Sequence, residues 1–284
     1  MSKIAVMIDT SFDMTYELAE QYGIYLVSYQ LQMGEKHLKD QIDIQSRTFY
    51  EEMHHYETLS TGIPPIQDVI DKYEEIKQDG FEEVIVLTSS HKITGMRGLH
   101  EVAKEDIEGL NIHVIDTEHI ASSALLLAIY AKDLVDEGKS AQEILSAVDK
   151  HKSHTAIFAL FRTLKYLVKG GRFSKYKGAV GTLLNVQPLL GIVEGEVGVL
   201  DKVRGRNKSL LAMVARIKEY IGNSQRYRIA MFSGNNAEEI EKLKIHLQVE
   251  LAKAELVIET ELTPVLGVHA GPESIGISVM KLDA

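Results

Sequence analysis

Three short aliphatic runs, Lys3–Ile8, Glu83–Thr88 and Asn111–Ile115, alternate with longer segments whose apolar residues recur at helical spacing. This rhythm constrains the fold more than any other feature of the chain. Helices are predicted over Ile66–Gln78, Gly98–Glu108 and Ala121–Glu137. Strands that each feed a helix must pair in parallel, because a parallel neighbour is reached only through a crossover, and the resulting sheet is covered on both faces. Ligands of such sheets sit beyond the carboxyl ends of the strands. Three loops are thereby marked: Asp9-Thr10-Ser11, Thr88-Ser89-Ser90 and Asp116-Thr117.

After His151 the rhythm changes. Strands are predicted at Thr155–Leu160, Val186–Val193, Glu196–Val203, Tyr227–Phe232, Glu255–Glu261 and Ser274–Met280, and helices at Thr163–Val168, Asn207–Ile221 and Ala237–Ala252. Two strands run consecutively around Glu194-Gly195, which reads as a hairpin. The expected architecture is α/β in two domains. Residues 1–150 form a Rossmann-like three-layer domain with a parallel sheet, and residues 151–284 form an α/β sandwich with a mainly antiparallel sheet.

Composition narrows the function. With no cysteine among 284 residues, disulfide scaffolds, thiolate metal sites and a cysteine nucleophile are excluded. The net charge of −10 argues against a nucleic-acid binder that relies on bulk charge. The uncharged stretches His119–Ala131 and Gly178–Val193 are too short to span a bilayer, and Ile4–Ile8 is too short for a signal-peptide core, so a cytoplasmic location is expected. The charge is unevenly distributed. Between Arg162 and Lys208, ten Lys and Arg stand against three acids, a local +7 that leaves −17 on the other 237 residues. Such segregation suits solvated surface, a phosphorylated ligand or an acidic partner.

Familiar catalytic signatures are missing: there is no GxxxxGK[ST], GxGxxG after a strand, GxSxG or HExxH. The pair His54-His55, placed on a helix, would point its rings to different faces, which suits surface better than a metal site. Three polar segments, read as loops, place a hydroxyl or imidazole beside Gly or Pro: Ser60–Pro65, Thr88–Gly95 and Gly267–Pro272. For Ser89 and Thr94 a plain helix-capping role competes with ligand binding, and the two are compatible at a helix N-terminus.

Taken in order, these pieces resemble the DegV family of bacterial fatty-acid-binding proteins, the carrier subunits of fatty acid kinase. The resemblance rests on the opening IDTSFDM, on Thr61-Gly62-Ile63-Pro64, on Ser89-Ser90-His91-Lys92-Ile93-Thr94-Gly95 and on Leu164-Lys165-Tyr166-Leu167-Val168-Lys169-Gly170-Gly171-Arg172 followed by Asn185-Val186-Gln187-Pro188. Lys202-Val203-Arg204-Gly205 and Gly267-Val268-His269-Ala270-Gly271-Pro272 complete it. Thr94 stands where the family usually has Ser, and Gly62 replaces a usual Ser.

The resemblance implies that one long-chain fatty acid is buried, its carboxylate held by Thr61 and Thr94 and approached by His269. It also implies a separate ATP-dependent kinase subunit as partner, with Arg172, Lys202 and Arg204 at the kinase contact or phosphate, and delivery of the acyl phosphate to phospholipid synthesis with transient contact at a membrane surface. No cofactor, metal or catalytic residue is expected in the carrier itself. Hydroxyls suit a carboxylate oxygen, and a histidine could donate to it or carry positive charge near neutral pH. Burying roughly fifteen methylenes is worth about 12 kcal/mol of gross transfer free energy at ~0.8 kcal/mol each, against about 0.5–1.5 kcal/mol per polar contact. An apolar tunnel is therefore expected to supply affinity, and the head-group residues orientation. Two other readings remain: a hydroxyl/His acyl- or phosphoryl-transfer enzyme using Thr61 or Thr94 with His269, and an interaction module that uses the basic segment without lipid.

Overall fold

The computed structural model describes residues 3–173 and 187–283. Along the first half lie β1 (Ile4–Asp9), α1 (Tyr16–Tyr22), β2 (Tyr25–Val27), β3 (Gln30–Met33), β4 (Lys36–Lys39), α2 (Ser46–Glu52), β5 (Leu59–Gly62), α3 (Ile66–Gln78), β6 (Glu83–Thr88), α4 (Met96–Ala103), β7 (Asn111–Asp116), α5 (Ala121–Asp136) and α6 (Ala141–Lys152). The second half carries β8 (Thr155–Leu160), α7 (Lys165–Lys169), β9 (Gln187–Val193), β10 (Glu196–Val203), α8 (Arg206–Ile221) and β11 (Tyr227–Gly234). It ends with α9 (Ala237–His246), α10 (Gln248–Lys253), β12 (Leu256–Glu261), α11 (Pro264–Ala270) and β13 (Ser274–Lys281).

The expected parallel sheet is present, in the order β2-β1-β6-β7. Every residue of β1 is buried, and its alternation explains why. Ile4, Val6 and Ile8 face a core shared with α5, while Ala5 and Met7 face Val69, Tyr73 and Ile76 of α3. The second sheet, β10-β9-β8-β13-β11-β12, is antiparallel except for the β11–β12 pair. A third, small antiparallel sheet, β4-β3-β5, is inserted between β2 and α3.

Helix α5 explains the uncharged stretch His119–Ala131. It is apolar around most of its circumference because it is sandwiched: one core unites its Ala124–Ile129 with Ile8 of β1, Ala230 of β11 and Met280 of β13. Ser122 meets Ser278 across the same contact at 2.7 Å, so the hydroxyls buried there satisfy each other. Among the described residues no helix is long and apolar enough to cross a membrane.

Several expectations are corrected. The segment predicted as one helix over Ala237–Ala252 breaks at Leu247, a fully buried residue between α9 and α10. The predicted helix Gly98–Glu108 begins earlier, at Met96, and tightens into a 3₁₀ turn over Lys104–Asp106. The polar segment Ser60–Pro65 is partly strand, and Gly267–Ala270 belongs to α11, which starts on Pro264 as its first residue. His54 and His55 lie on a 3₁₀ turn, where their rings approach to 3.8 Å instead of diverging as they would on an α-helix. Asn185 and Val186 of the Asn-Val-Gln-Pro motif, and Lys175 and Lys177 of the basic segment, lie outside the described residues.

Candidate functional site

The site begins at the carboxyl end of β1. Asp9 caps a 3₁₀ turn over Thr10–Phe12, accepting at one oxygen from both the backbone N–H, at 2.8 Å, and the hydroxyl of Ser11. Ser11 Oγ also lies 2.8 Å from Ser89 Oγ, just past the end of β6. The turn after β6 is closed by Ile93 and Thr94 N–H groups donating to the Ser90 carbonyl. It places Thr94 one residue before Gly95, the N-cap of α4. The Thr94 hydroxyl is therefore free of a capping role and instead meets the Tyr29 phenol at 2.5 Å.

Two distant segments complete the constellation. On β5, Thr61 is paired in register with Leu31 of β3. Helix α11 is tied to the β1 loop, since Thr263 donates through its hydroxyl to the Thr10 carbonyl at 2.9 Å and through its N–H to Asp13 at 3.1 Å. This anchoring brings His269 Nε2 to 2.8 Å from Thr61 Oγ1. In the Gly-Gly-Arg turn after α7, Arg172 donates from Nη1 to the Gly170 carbonyl at 2.6 Å.

Ser11, Tyr29, Thr61, Thr94, Arg172 and His269 line one cavity, which encloses about 820 Å³ of non-atom space including the open solvent at its mouth. Its remaining wall is almost wholly apolar, with Ile157 and Ala159 from β8, Leu190 and Ile192 from β9, Phe232 from β11 and Leu266 from α11. A polar cleft lies alongside, sharing Ile93, Arg172 and Val197 with the cavity and adding Lys92 and Glu196. The hairpin that carries this wall is pinned to the other sheet, because Ser90 Oγ donates to the Gly195 carbonyl at 2.6 Å and Lys92 Nζ to the Glu194 carbonyl at 2.7 Å.

Electrostatics departs from the expectation of a chargeable histidine. Burial, helped by the Arg172 charge, lowers His269 to about 3, so the imidazole is neutral at physiological pH. Burial raises Asp9 to about 7 in spite of the Ser11 bonds, and it holds the Tyr29 phenol well above its ordinary value. Among the predicted site residues, Arg172 is thus the fixed positive charge at the cavity.

Thr61, Thr94, His269 and Arg172 are thus brought together, whereas Lys202 and Arg204 are exposed at and just beyond the end of β10 and do not line the cavity. Two arginines of the basic segment are ion-paired with acids elsewhere in the chain, Arg206 with Glu239 and Glu273 and Arg162 with Glu273. Among the described residues no group of three or more His, Asp or Glu is placed to hold a metal ion. Sequence reasoning missed Tyr29, which sits between two strands too short to show a period. Ser11 was within a marked strand-end loop but carried no signal that singled it out.

The model of the family described as uncharacterised protein, DegV family, matches residues 3–282 of the chain. The chain belongs to the DegV family. A DegV domain-containing protein of Staphylococcus aureus is 29% identical over 99% of this chain and 100% of its own length. A DegV family protein of Thermus thermophilus, described by its fatty acid binding, shares the fold with a TM-score of 0.92 at 22% identity, over 99% of this chain and 100% of its own. A stearic-acid-binding protein of Eubacterium ventriosum is similar at a TM-score of 0.85 and 25% identity, covering 99% of this chain and 98% of its own. The DegV fold, with its parallel sheet and its larger mixed sheet, therefore extends over the whole of this chain.

Proposed function

We propose that this DegV protein binds one long-chain fatty acid in the cavity, with the carboxylate among Thr61, Thr94 and His269 and the tail against the apolar wall. The single observation that carries this reading is the division of the lining: its polar side chains include two hydrogen-bonded pairs, Tyr29–Thr94 and Thr61–His269, and the rest of the wall is hydrocarbon. The fatty acids named for the Thermus and Eubacterium relatives support the same ligand class. In this reading the protein is a cytoplasmic carrier without its own cofactor. A separate ATP-dependent kinase phosphorylates the bound carboxylate, and the acyl phosphate passes to phospholipid synthesis. Arg172 stands where cavity and polar cleft meet, as a group that recognises an added phosphate would need to. The exposed Lys202 and Arg204 are available to an acidic face of the kinase.

The geometry favours binding over catalysis by the chain alone. A Thr61–His269 pair at 2.8 Å has the spacing of a nucleophile and its base, but a histidine at about 3 is a weak base at neutral pH, and its Nδ1 has no partner to orient it. Mass spectrometry of organic extracts from purified protein is expected to yield a fatty acid. A protein that emerges empty and also fails to take up labelled palmitate or oleate would overturn the reading. With a fatty acid kinase catalytic subunit and ATP, the loaded protein is expected to yield acyl phosphate, and reversing charge at Lys202 and Arg204 to slow this without emptying the cavity.

A further inference from the structure

Helices α7 and α11 lock together through two residues that lack side chains. A Cβ placed on Gly271, at the end of α11, would fall 2.3 Å from the Tyr166 ring of α7. One placed on Gly170, just after α7, would fall 2.1 Å from Nδ1 and 2.7 Å from Cε1 of His269. Both distances lie far inside van der Waals contact, and in each case the obstructing group is a half-buried ring, Tyr166 packed against the core and His269 bonded to Thr61, rather than the free end of a flexible chain.

The two glycines differ in one respect that matters. Gly271 has φ of 75°, so its backbone alone disfavours a side chain, whereas Gly170 has φ of −74° and ψ of −4°, a conformation any residue adopts. A glycine is therefore required at 170 only by what lies beside it. That neighbour is the imidazole whose other edge meets Thr61 at 2.8 Å. The same residue's carbonyl accepts from Arg172 at 2.6 Å, and its N–H donates to the Tyr166 carbonyl at 2.8 Å, which fixes the turn to α7. The Nδ1 edge of His269 is buried without a hydrogen-bond partner, so shape alone seats the ring on this side.

We infer that Gly170 is a positioning residue for the head-group site, seating the His269 ring against the end of α7 so that Nε2 is aimed at Thr61, while its carbonyl indexes Arg172 to the same turn. The role assigned to the head group rests on the fatty-acid reading above; the seating of the ring does not.

The test is Gly170→Ala. At an unstrained backbone position this change ordinarily leaves stability unaltered or raises it, by restricting the unfolded chain. Here it is expected to lower the melting temperature, to shift the His269 ring resonances in ¹⁵N-edited NMR, and to weaken palmitate binding at least tenfold. In a His269→Ala background the two contacts below 3 Å are gone and only the Tyr166 carbonyl remains, at 3.2 Å, so Gly170→Ala is expected to cost far less stability there than in the wild type and no further affinity. If the single variant fails to fold, the double variant decides: a folded double supports the inference and an unfolded one overturns it. Unchanged His269 resonances in the single variant, or an equal loss in both backgrounds, would likewise overturn it. Should wild-type protein take up no palmitate, the fatty-acid reading falls, while melting and NMR still judge the seating of the ring.

Discussion

Thr61 and His269, separated by 208 positions in the chain, meet at 2.8 Å between hydroxyl and imidazole. The contact joins the small inserted sheet to α11, the helix that Thr263 ties to the end of β1. A carboxylate received there would find hydrogen-bonding groups delivered by three separately folded segments and already held in place, so little ordering remains to oppose binding.

Thr94→Ala removes one hydroxyl at the head of the cavity and takes one of its partners from the Tyr29 phenol. We predict fatty-acid binding weakened about 2–10-fold, the equivalent of ~0.5–1.5 kcal/mol for one hydrogen bond, with Thr94→Ser staying within about twofold of wild type. Displacement of a fluorescent fatty acid measures both. A loss as large in the Ser variant as in the Ala variant would contradict the role given to the hydroxyl.

Ala159→Phe tests the tail. Ala159 is buried on β8 at the cavity wall, where a ring would occupy space assigned to methylenes. Excluding about four methylenes at ~0.8 kcal/mol each predicts roughly 200-fold weaker binding of a long chain. A medium-chain acid is expected to lose much less. Thermal melting controls for overpacking, which by itself costs about 1–3 kcal/mol.

His269 should not titrate in the physiological range. With its value lowered to about 3, its ring resonances are expected to stay flat from pH 8 down to pH 5. Because the Arg172 charge contributes to the lowering, Arg172→Ala should move the titration upward. A midpoint near 6.5 in the wild-type protein would show that the ring is hydrated and the site open.

Stability should respond to pH through three buried acids. Burial raises Asp9 and Asp13 to about 7 and Asp40 to about 8. The native state thus keeps protons that the unfolded chain has lost above about pH 4, so their stabilising contribution falls as pH rises toward 8 and then levels. His100, lowered to about 4, and His269 act in the opposite sense, losing stability as pH falls below about 6.5. Above that pH the buried acids dominate the slope among these groups. Asp40→Asn, neutral throughout, is expected to flatten the decline between pH 7 and 8 and to gain on the order of 1 kcal/mol at pH 8.5, a Tm rise of about 2 °C. A steeper decline in the variant would argue against a protonated Asp40.

Legibility in the sequence followed the length and burial of each element. Strands such as Glu83–Thr88 and Thr155–Leu160, buried along nearly their whole length, were read with their observed bounds. The strands of the inserted sheet were not. They are four residues long and at most half buried, so each of Gln30–Met33, Lys36–Lys39 and Leu59–Gly62 offers too few positions to establish a period. Helix α11 was missed for a different reason. Pro, two Gly and a His within Pro264–Gly271 resemble a loop, and tertiary anchoring through Thr263 makes those residues a helix.

The sequence by itself determined the strand–helix order, the absence of thiol chemistry and the residue types available for a head group, since these follow from local pattern and composition. Tertiary structure decided which of those residues meet. Thr61 comes from an edge strand of the inserted sheet and Thr94 from the turn between β6 and α4, and the +7 segment includes Arg172 at the cavity, Lys202 and Arg204 on the surface, and Arg162 and Arg206 paired with Glu239 and Glu273. It also set the ionisation of His269, because a pKa depends on the water and charge around a group. Only the packed core removes the water, and only the turn after α7 brings the Arg172 charge.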